Sequence, residues 1–440
     1  MELIRQGPAT IVGNGASLLL RKGSTRLLVV AGITDAGMAS LAGFLAAIYA
    51  AHVLQPALLG AYAVYFSAFV FGGFVSANLY LLQSRVAALA CPQEQRIGIL
   101  PQSLLSGALF SGLAAAWTPF AGIMLLGELS TAELAPLALG AAALVFFSPL
   151  QDHLRATCHL SGRSSRAVQI SGCQLGFLAL SLIALHLAPV SHQWVPFGSL
   201  AIANMASLSL GVWLSRDDLK RYKVRLPPIR RIVTPGWSLL LVALVPALAQ
   251  FAGSALVASL KSAELAGYAE AARVVATPVH VLALGIAQAL TPALMYAGQT
   301  GSARMARRNR ILFLLPLLAC ALVYLPLVGF SHFVNPMALL LPNAYHLQGL
   351  VLLSAVSLLI LDVGIMPRAE LAGAERVGDL VRPALAGSVV HVASVAALMW
   401  WLGAYAIPLG ILVSNGILLS FALARASGLY QPAARRDARK

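Results

Sequence analysis

The sequence predicts an all-α polytopic membrane protein, with twelve transmembrane helices in two six-helix lobes related by a parallel pseudo-two-fold repeat. Hydrophobic residues make up 59% of the 440 residues and charged residues only 10%, whereas charged residues are about a quarter of an ordinary soluble domain. The net charge of +15 raises nucleic acid as a partner until the positions of the charges are considered. The four cysteines show no metal-ligand spacing, so no zinc site and no disulfide framework is predicted.

The transmembrane spans follow from the length of apolar helix that a bilayer needs. A hydrocarbon core about 30 Å thick requires roughly 20 apolar residues. Twelve stretches meet this requirement, and we predict spans at residues 27–51, 57–82, 98–124, 132–150, 167–188, 195–214, 235–259, 268–296, 311–330, 347–366, 384–402 and 406–424. The preceding segment 1–26 lacks a signal-peptide pattern and is predicted to lie at the cytoplasmic membrane surface.

The basic residues give the orientation of the spans. With the N-terminus inside, 28 of the 30 Lys and Arg residues fall in cytoplasmic segments, as the positive-inside rule requires. The two others are Lys261, in an outer loop, and Arg273, inside the eighth span. This rule accounts for most of the net charge, so nucleic acid is not a predicted partner. Both termini are predicted to be cytoplasmic.

A basic segment near the middle of the chain separates two sets of six spans. Residues 215–234 contain seven Lys and Arg residues and the pair Pro227-Pro228. We therefore predict an N-lobe at 27–214, a linker at 215–234, a C-lobe at 235–424 and a cytoplasmic tail at 425–440. Two short motifs recur across the halves, as a duplication would produce: Leu59-Gly60-Ala61-Tyr62 with Leu265-Ala266-Gly267-Tyr268, and Arg155-Ala156 followed by Gly162-Arg163 with Arg368-Ala369 followed by Arg376.

This layout and these motifs resemble the multidrug/oligosaccharidyl-lipid/polysaccharide (MOP) exporter superfamily, and within it the polysaccharide repeat-unit flippases of the O-antigen type. The resemblance implies alternating access between two lobes. It also implies a location in the bacterial cytoplasmic (inner) membrane, basic residues in a central cavity that hold the substrate, and, in ion-coupled members, a coupling carboxylate in the first span.

The eighth span carries the clearest candidate site. Its polar residues recur at helical spacing on one face, which is typical of a helix that lines water or ligand. The candidate substrate-binding residues on this face are Glu270, Arg273, Thr277, His280 and Gln288. Arg273 suits a phosphorylated substrate because a guanidinium can hold a diphosphate through two hydrogen bonds. Equally, Glu270 at i−3 could neutralise Arg273, or Arg273 could extend to the outer surface.

Three further residues are candidates because an ionisable group inside a span is costly unless it has a function or a partner. Asp35 lies near the middle of the first span and could carry a coupling proton, or could hydrogen-bond a neighbouring helix. Asp362 is a second coupling candidate, although an ion pair with nearby Arg368 is favoured. Arg26 stands at the cytoplasmic mouth of the first span and could contact an anionic headgroup, or simply anchor the helix.

The predicted function is export of a polyprenyl-diphosphate-linked oligosaccharide for surface polysaccharide assembly, with membrane lipids and polysaccharide assembly proteins as further partners. One alternative is an ion-coupled exporter of cationic drugs, for which Asp35 and Glu270 would be the attractive residues. A membrane polysaccharide polymerase or ligase is a weaker alternative, because the sequence shows no catalytic constellation and its longest outer segment, 331–346, has no Arg and no carboxylate. No enzyme activity, cofactor or metal is therefore predicted.

Overall fold

The computed structural model describes residues 24–125, 129–329 and 348–430, and these residues are almost wholly helical. Within these residues, eleven helical segments are long and apolar enough to cross a membrane, and the last of them, Val377–Gly428, contains two helices that meet at Gly403. The predicted fold class is therefore confirmed. The twelve membrane helices are α1 (Ser24–Val53), α2 (Pro56–Ser76), α3 (Leu100–Trp117), α4 (Thr131–Leu160), α5 (Ser164–Leu187), α6 (Val195–Arg221), α7 (Ile229–Leu260), α8 (Ala263–Thr300), α9 (Ala303–Gly329), α10 (Gln348–Val363), α11 (Val381–Leu402) and α12 (Ala406–Gly428).

Two of these helices have short continuations toward the side predicted to be cytoplasmic. Helix α2 passes through a π-helical turn, Ala77–Leu81, into the helix Leu82–Ala88. Helix α10 resumes after Gly364 as the helix Ile365–Gly373. These continuations carry Arg85 and Arg368 respectively.

The packing of the helices repeats at an offset of six. In the first half, α1 packs on α5, α2 on α4, α4 on α6, and α5 on α6; in the second, α7 packs on α11, α8 on α10, α10 on α12, and α11 on α12. The contacts between halves follow the same rule, since α2 packs on α7 and α8 packs on α1. The structure thus has two lobes related by the predicted parallel repeat, joined mainly through α1, α2, α7 and α8.

The recurring glycine motif lies where the two lobes cross. A Cβ atom on Gly60 would stand 1.8 Å from the carbonyl oxygen of Ala263, and one on Gly267 would stand 2.0 Å from the carbonyl oxygen of Pro56. Only glycine allows α2 and α8 to approach this closely, because any side chain would enter the partner backbone. The motif was predicted from sequence as a mark of duplication, and the structure gives it a packing role on the pseudo-two-fold axis.

Some helices are longer than the predicted spans. Helix α4 continues to Leu160, ten residues past the predicted end at residue 150, so Arg155 lies in a helix and not in a loop. Helix α6 extends to Arg221 and α7 begins at Ile229, which leaves only 222–228 between them. This connection follows the N-lobe surface, where the Leu226 amide donates to Gln102 Oε1 at 2.9 Å. The lobe limits themselves stay predictions.

Several predictions fall outside the described residues. They concern the interfacial segment before residue 24, the outer segment 331–346 and the end of the tail after residue 430.

Candidate functional site

Asp35 is the centre of a buried polar cluster in the N-lobe. Its side chain on α1 is 1% exposed. Arg155 on α4 donates from Nε to Oδ1 and from Nη2 to Oδ2, both at 2.9 Å. His159 Nε2 lies 3.0 Å from Oδ2, and the Ser171 hydroxyl on α5 donates to Oδ1 at 2.5 Å. The carboxylate therefore has a bidentate cationic partner and joins three helices, the arrangement that makes a buried ion pair tolerable.

Arg155 was not predicted as the partner of Asp35, because the predicted fourth span ends at residue 150 and leaves Arg155 in a loop. The spacing of Arg155 and His159 is i,i+4, which puts both side chains on the same face of α4. The recurrence of the Arg155-Ala156 motif in the second half was the signal available from sequence, but it did not identify Asp35 as the partner.

The cluster continues from Arg155 toward an accessible carboxylate. Arg155 Nη1 donates to Asp152 Oδ1 at 2.9 Å, and the Asp152 side chain is 63% exposed. Arg85 acts electrostatically on Asp152 but forms no ion pair with it. The Nε of Arg85 is buried and has no hydrogen-bond partner among the described residues. Arg85 is therefore a partly buried cation with unused donor capacity.

Uncharged polar side chains extend the N-lobe network to α6. Gln151 Nε2 donates to Gln174 Oε1 at 3.2 Å, and Gln174 Nε2 donates to Asn204 Oδ1 at 2.6 Å. These three residues are buried on α4, α5 and α6. A buried network of this kind fixes the relative positions of the three helices that it joins.

The polar face of α8 begins with an ion pair. Arg273 donates to Glu270 from Nε at 2.7 Å and from Nη2 at 2.5 Å. The Arg273 side chain is 29% exposed and the Glu270 side chain is 6% exposed. The guanidinium carbon also lies 4.5 Å from the centre of the Phe66 ring, a cation–π contact with α2. The Thr277 hydroxyl donates to the Arg273 carbonyl oxygen at 2.8 Å, so it is occupied within the helix.

About 10 Å beyond Arg273 along α8 by helical rise, His280 pairs with the candidate coupling residue Asp362. His280 Nδ1 lies 2.6 Å from Asp362 Oδ1, and the Asp362 side chain is 0% exposed. The second carboxylate oxygen, Oδ2, has no hydrogen-bond partner among the described residues. The pair joins α8 to α10.

The ion pair expected between Asp362 and Arg368 does not form. Arg368 acts electrostatically on Asp362, but its Nε donates to the Gly364 carbonyl oxygen and its Nη2 to the Leu361 carbonyl oxygen, both at 2.9 Å. Arg368 thus binds backbone carbonyl oxygens around the helix break at Gly364, and His280 contacts the Asp362 carboxylate instead.

The repeat explains why Arg368 lacks a carboxylate partner. Arg368 corresponds to Arg155 in the repeated motif, and α7 corresponds to α1. However, α7 contains no Asp or Glu along Ile229–Leu260, so this helix offers no counterpart of Asp35. Arg368 is therefore a cation like Arg155, but α7 offers it no acidic residue in the place of Asp35.

Two predicted site residues have side chains outside the described part of the structure. Gln288 lies on α8 and Arg26 on α1, but only their helical backbones are described. Their predicted roles in substrate binding stay predictions. Among the described His, Cys, Asp and Glu residues, no group of three or more is placed to hold a metal ion.

Comparison with solved structures identifies the fold. The eukaryotic MATE transporter AtDTX14 matches with a TM-score of 0.69 and 13% identity, over 92% of this chain and 98% of that one. A MOP-superfamily transporter from Pyrococcus furiosus, whose binding pocket is described as having reverse polarity, matches with a TM-score of 0.64 and 14% identity, over 93% and 96% of the chains. A multidrug resistance MATE transporter in an outward-facing conformation matches with a TM-score of 0.60 and 17% identity, over 92% and 96%.

No protein-family model and no curated protein matches the sequence. The structural matches cover nearly the whole chain, and at this level of identity they show the shared fold.

Proposed function

We propose that this protein is an alternating-access transporter that moves an anionic amphiphile, a polyprenyl-diphosphate-linked oligosaccharide, from the inner to the outer leaflet of the bacterial cytoplasmic membrane. The observation that carries the proposal is the sign of the unpaired charge. Asp35, Glu270 and Asp362 are each bound by a basic side chain. Arg85 and Arg368 form no ion pair with any described residue, which favours an anionic ligand over a cationic one.

The transport of a diphosphate across the membrane fits this distribution of unpaired cations. A diphosphate cannot cross hydrocarbon without a polar path, because desolvating its charges is costly. Guanidinium groups suit it because their donors match phosphate oxygens in a bidentate arrangement. Arg85 and Arg368 are carried by the continuations of α2 and α10, one in each lobe. A headgroup held between them would be released when the lobes reorient.

The Glu270–Arg273 pair is proposed as a second, conditional contact. Arg273 keeps part of its surface exposed and rests on Phe66 of the opposite lobe. A substrate phosphate could exchange with Glu270 as it moves along α8. The contact across the lobes would then differ between the two conformations, as substrate-driven movement requires.

For coupling, we propose the His280–Asp362 pair rather than Asp35. Protonating Asp35 would leave Arg155 as a buried cation held only by Asp152, which is unfavourable. The Asp362 carboxylate has one oxygen without a hydrogen bond, and His280 is partly exposed. A proton shared by this pair would change its net charge without leaving a buried cation unpaired. Asp35 is then an anchor for the N-lobe cluster.

The second candidate is an ion-coupled exporter of cationic drugs. Two observations favour it: multidrug MATE transporters share the fold, and Asp152 presents a largely exposed carboxylate. In this alternative Asp152 would bind the cation, and Arg85 would restrain Asp152 in the empty protein. A polymerase or ligase has no comparable support, since the solved structures that share the fold are transporters.

A deletion strain of the source bacterium distinguishes these functions. Its lipids would be extracted and the polyprenyl-diphosphate-linked glycans quantified, with wild-type and Arg368→Gln copies supplied separately. We expect the glycans to accumulate and only the wild type to clear them. Arg382→Gln is the matched control, because Arg382 is exposed at the start of α11. An unchanged glycan pool with new sensitivity to cationic drugs would support the second candidate and reject the first.

A further inference from the structure

The first turns of α9 present a cationic groove at the membrane surface. The groove has a volume of about 530 Å³ and is lined by Ala303, Arg304, Arg307, Arg308, Ile311 and Leu312. The three arginines are exposed and form no ion pair with any described residue, whereas Arg310, on the same helix, is bound to the buried Glu370. The groove therefore contains three uncompensated positive charges beside two aliphatic side chains.

This arrangement is unfavourable for the helix alone. Arg304 is spaced i,i+3 from Arg307 and i,i+4 from Arg308, so the three guanidinium groups share one helical face. Like charges at this spacing destabilise a helix by a few tenths of a kcal/mol per pair. An anion held among them would remove the repulsion and use donors that no described side chain occupies.

The same helical face continues as a strip of exposed aliphatic residues. Ile311, Leu315, Leu318 and Leu322 are all exposed, with Leu315 at 69%. From Arg307 to Leu318 the helical rise is about 16 Å, close to half of a hydrocarbon core that is about 30 Å thick. The face thus presents cations at the headgroup level and aliphatic side chains over the depth of one leaflet.

We propose that this face of α9 is a binding site for an anionic phospholipid of the inner leaflet. The lipid phosphate would accept hydrogen bonds from Arg304, Arg307 and Arg308, and an acyl chain would lie along Ile311 and Leu315. The site is separate from the proposed transport path and stands whether or not the proposed substrate is correct. A simple positive-inside anchor would need only net charge on this side of the membrane, without three arginines lining one groove.

The test measures thermal unfolding of the purified full-length protein in detergent with added phosphatidylglycerol, phosphatidylcholine or inorganic phosphate. The test variant is Arg304→Gln/Arg307→Gln/Arg308→Gln. The control is Arg225→Gln/Arg230→Gln/Arg231→Gln, which removes the same charge from exposed positions on the same side. A third variant replaces the three groove arginines with Lys, keeping the charge but losing the planar donors.

We expect phosphatidylglycerol to raise the unfolding temperature of the wild type and of the control above the value in phosphatidylcholine. The glutamine variant should lose most of this increase, with affinity for the anionic lipid falling roughly hundredfold for three basic residues. The lysine variant should keep part of it. An equal loss in the control would overturn the proposal, as would equal stabilisation by both lipids or by inorganic phosphate.

Discussion

Replacing Arg155 with Gln tests whether the buried cluster around Asp35 holds the N-lobe together. In Arg155→Gln, the Asp35 carboxylate stays buried but loses its bidentate cation, while the hydrogen bonds from Ser171 and His159 remain. Removing one partner of a buried ion pair costs about 3–5 kcal/mol. Because two hydrogen bonds survive, we expect the lower end of this range, a loss of about 3 kcal/mol in the free energy of unfolding.

The double variant Asp35→Asn/Arg155→Gln should be more stable than Arg155→Gln alone. It removes both charges together, so no uncompensated charge is left buried, and neutral pairs of similar size are often tolerated. The assay is denaturant unfolding of the four proteins in the same detergent, combined as a double-mutant cycle. Arg376→Gln is the control, since its partner Asp379 is partly exposed and such pairs contribute at most about 1 kcal/mol.

Two results would refute the reasoning. The first is a cycle in which the effects of Asp35→Asn and Arg155→Gln simply add, which would mean that the two side chains do not interact. The second is Arg155→Gln losing no more stability than Arg376→Gln.

Three further predictions concern the lobe crossing and the C-lobe. Gly60→Ala should lower the free energy of unfolding by about 1–3 kcal/mol, because its Cβ would stand 1.8 Å from a backbone oxygen of α8. Gly176→Ala is the control and should be neutral or stabilising, because a Cβ there would meet nothing within 4 Å. Equal effects of the two substitutions would contradict the close approach of α2 and α8. His280→Gln should lower reconstituted transport driven by a proton gradient, because it removes the hydrogen-bonded partner of the buried Asp362, and unchanged transport would place coupling elsewhere. Glu270→Gln should strengthen diphosphate binding in a titration of the purified protein, since it frees Arg273, and weaker binding would show that Glu270 serves the ligand by another route.

The fold was predictable because membrane spans are local in sequence. Apolar stretches of the required length, basic loops between them and the recurring glycine motif were sufficient for twelve helices and two lobes. The ends of α4 and α6 were missed because each predicted span stops before the first charged residues. In α4 those residues, Asp152 and Arg155, continue the helix inside the lobe.

The site was less predictable because its partners are distant in sequence. Glu270 and Arg273 are three residues apart, so their pairing was one of the alternatives the sequence offered. Asp35 and Arg155 are 120 residues apart, and His280 and Asp362 are 82 apart. No periodicity connects such residues. Arg85 and Arg368 lack an ion-pair partner in the described structure. This lack depends on the positions of all neighbouring helices, which no single-sequence pattern encodes.

Direct ligand binding tests the central claim, that the unpaired charge of Arg85 and Arg368 selects an anion. The purified protein would be titrated with a short-chain polyprenyl-diphosphate-linked sugar and with tetraphenylphosphonium, in parallel with Arg368→Gln and Asp152→Asn. We expect saturable binding of the diphosphate that Arg368→Gln weakens at least about tenfold, as expected for a charged hydrogen bond of about 1.5–3 kcal/mol. Saturable binding of tetraphenylphosphonium that Asp152→Asn abolishes, with none of the diphosphate, would contradict it.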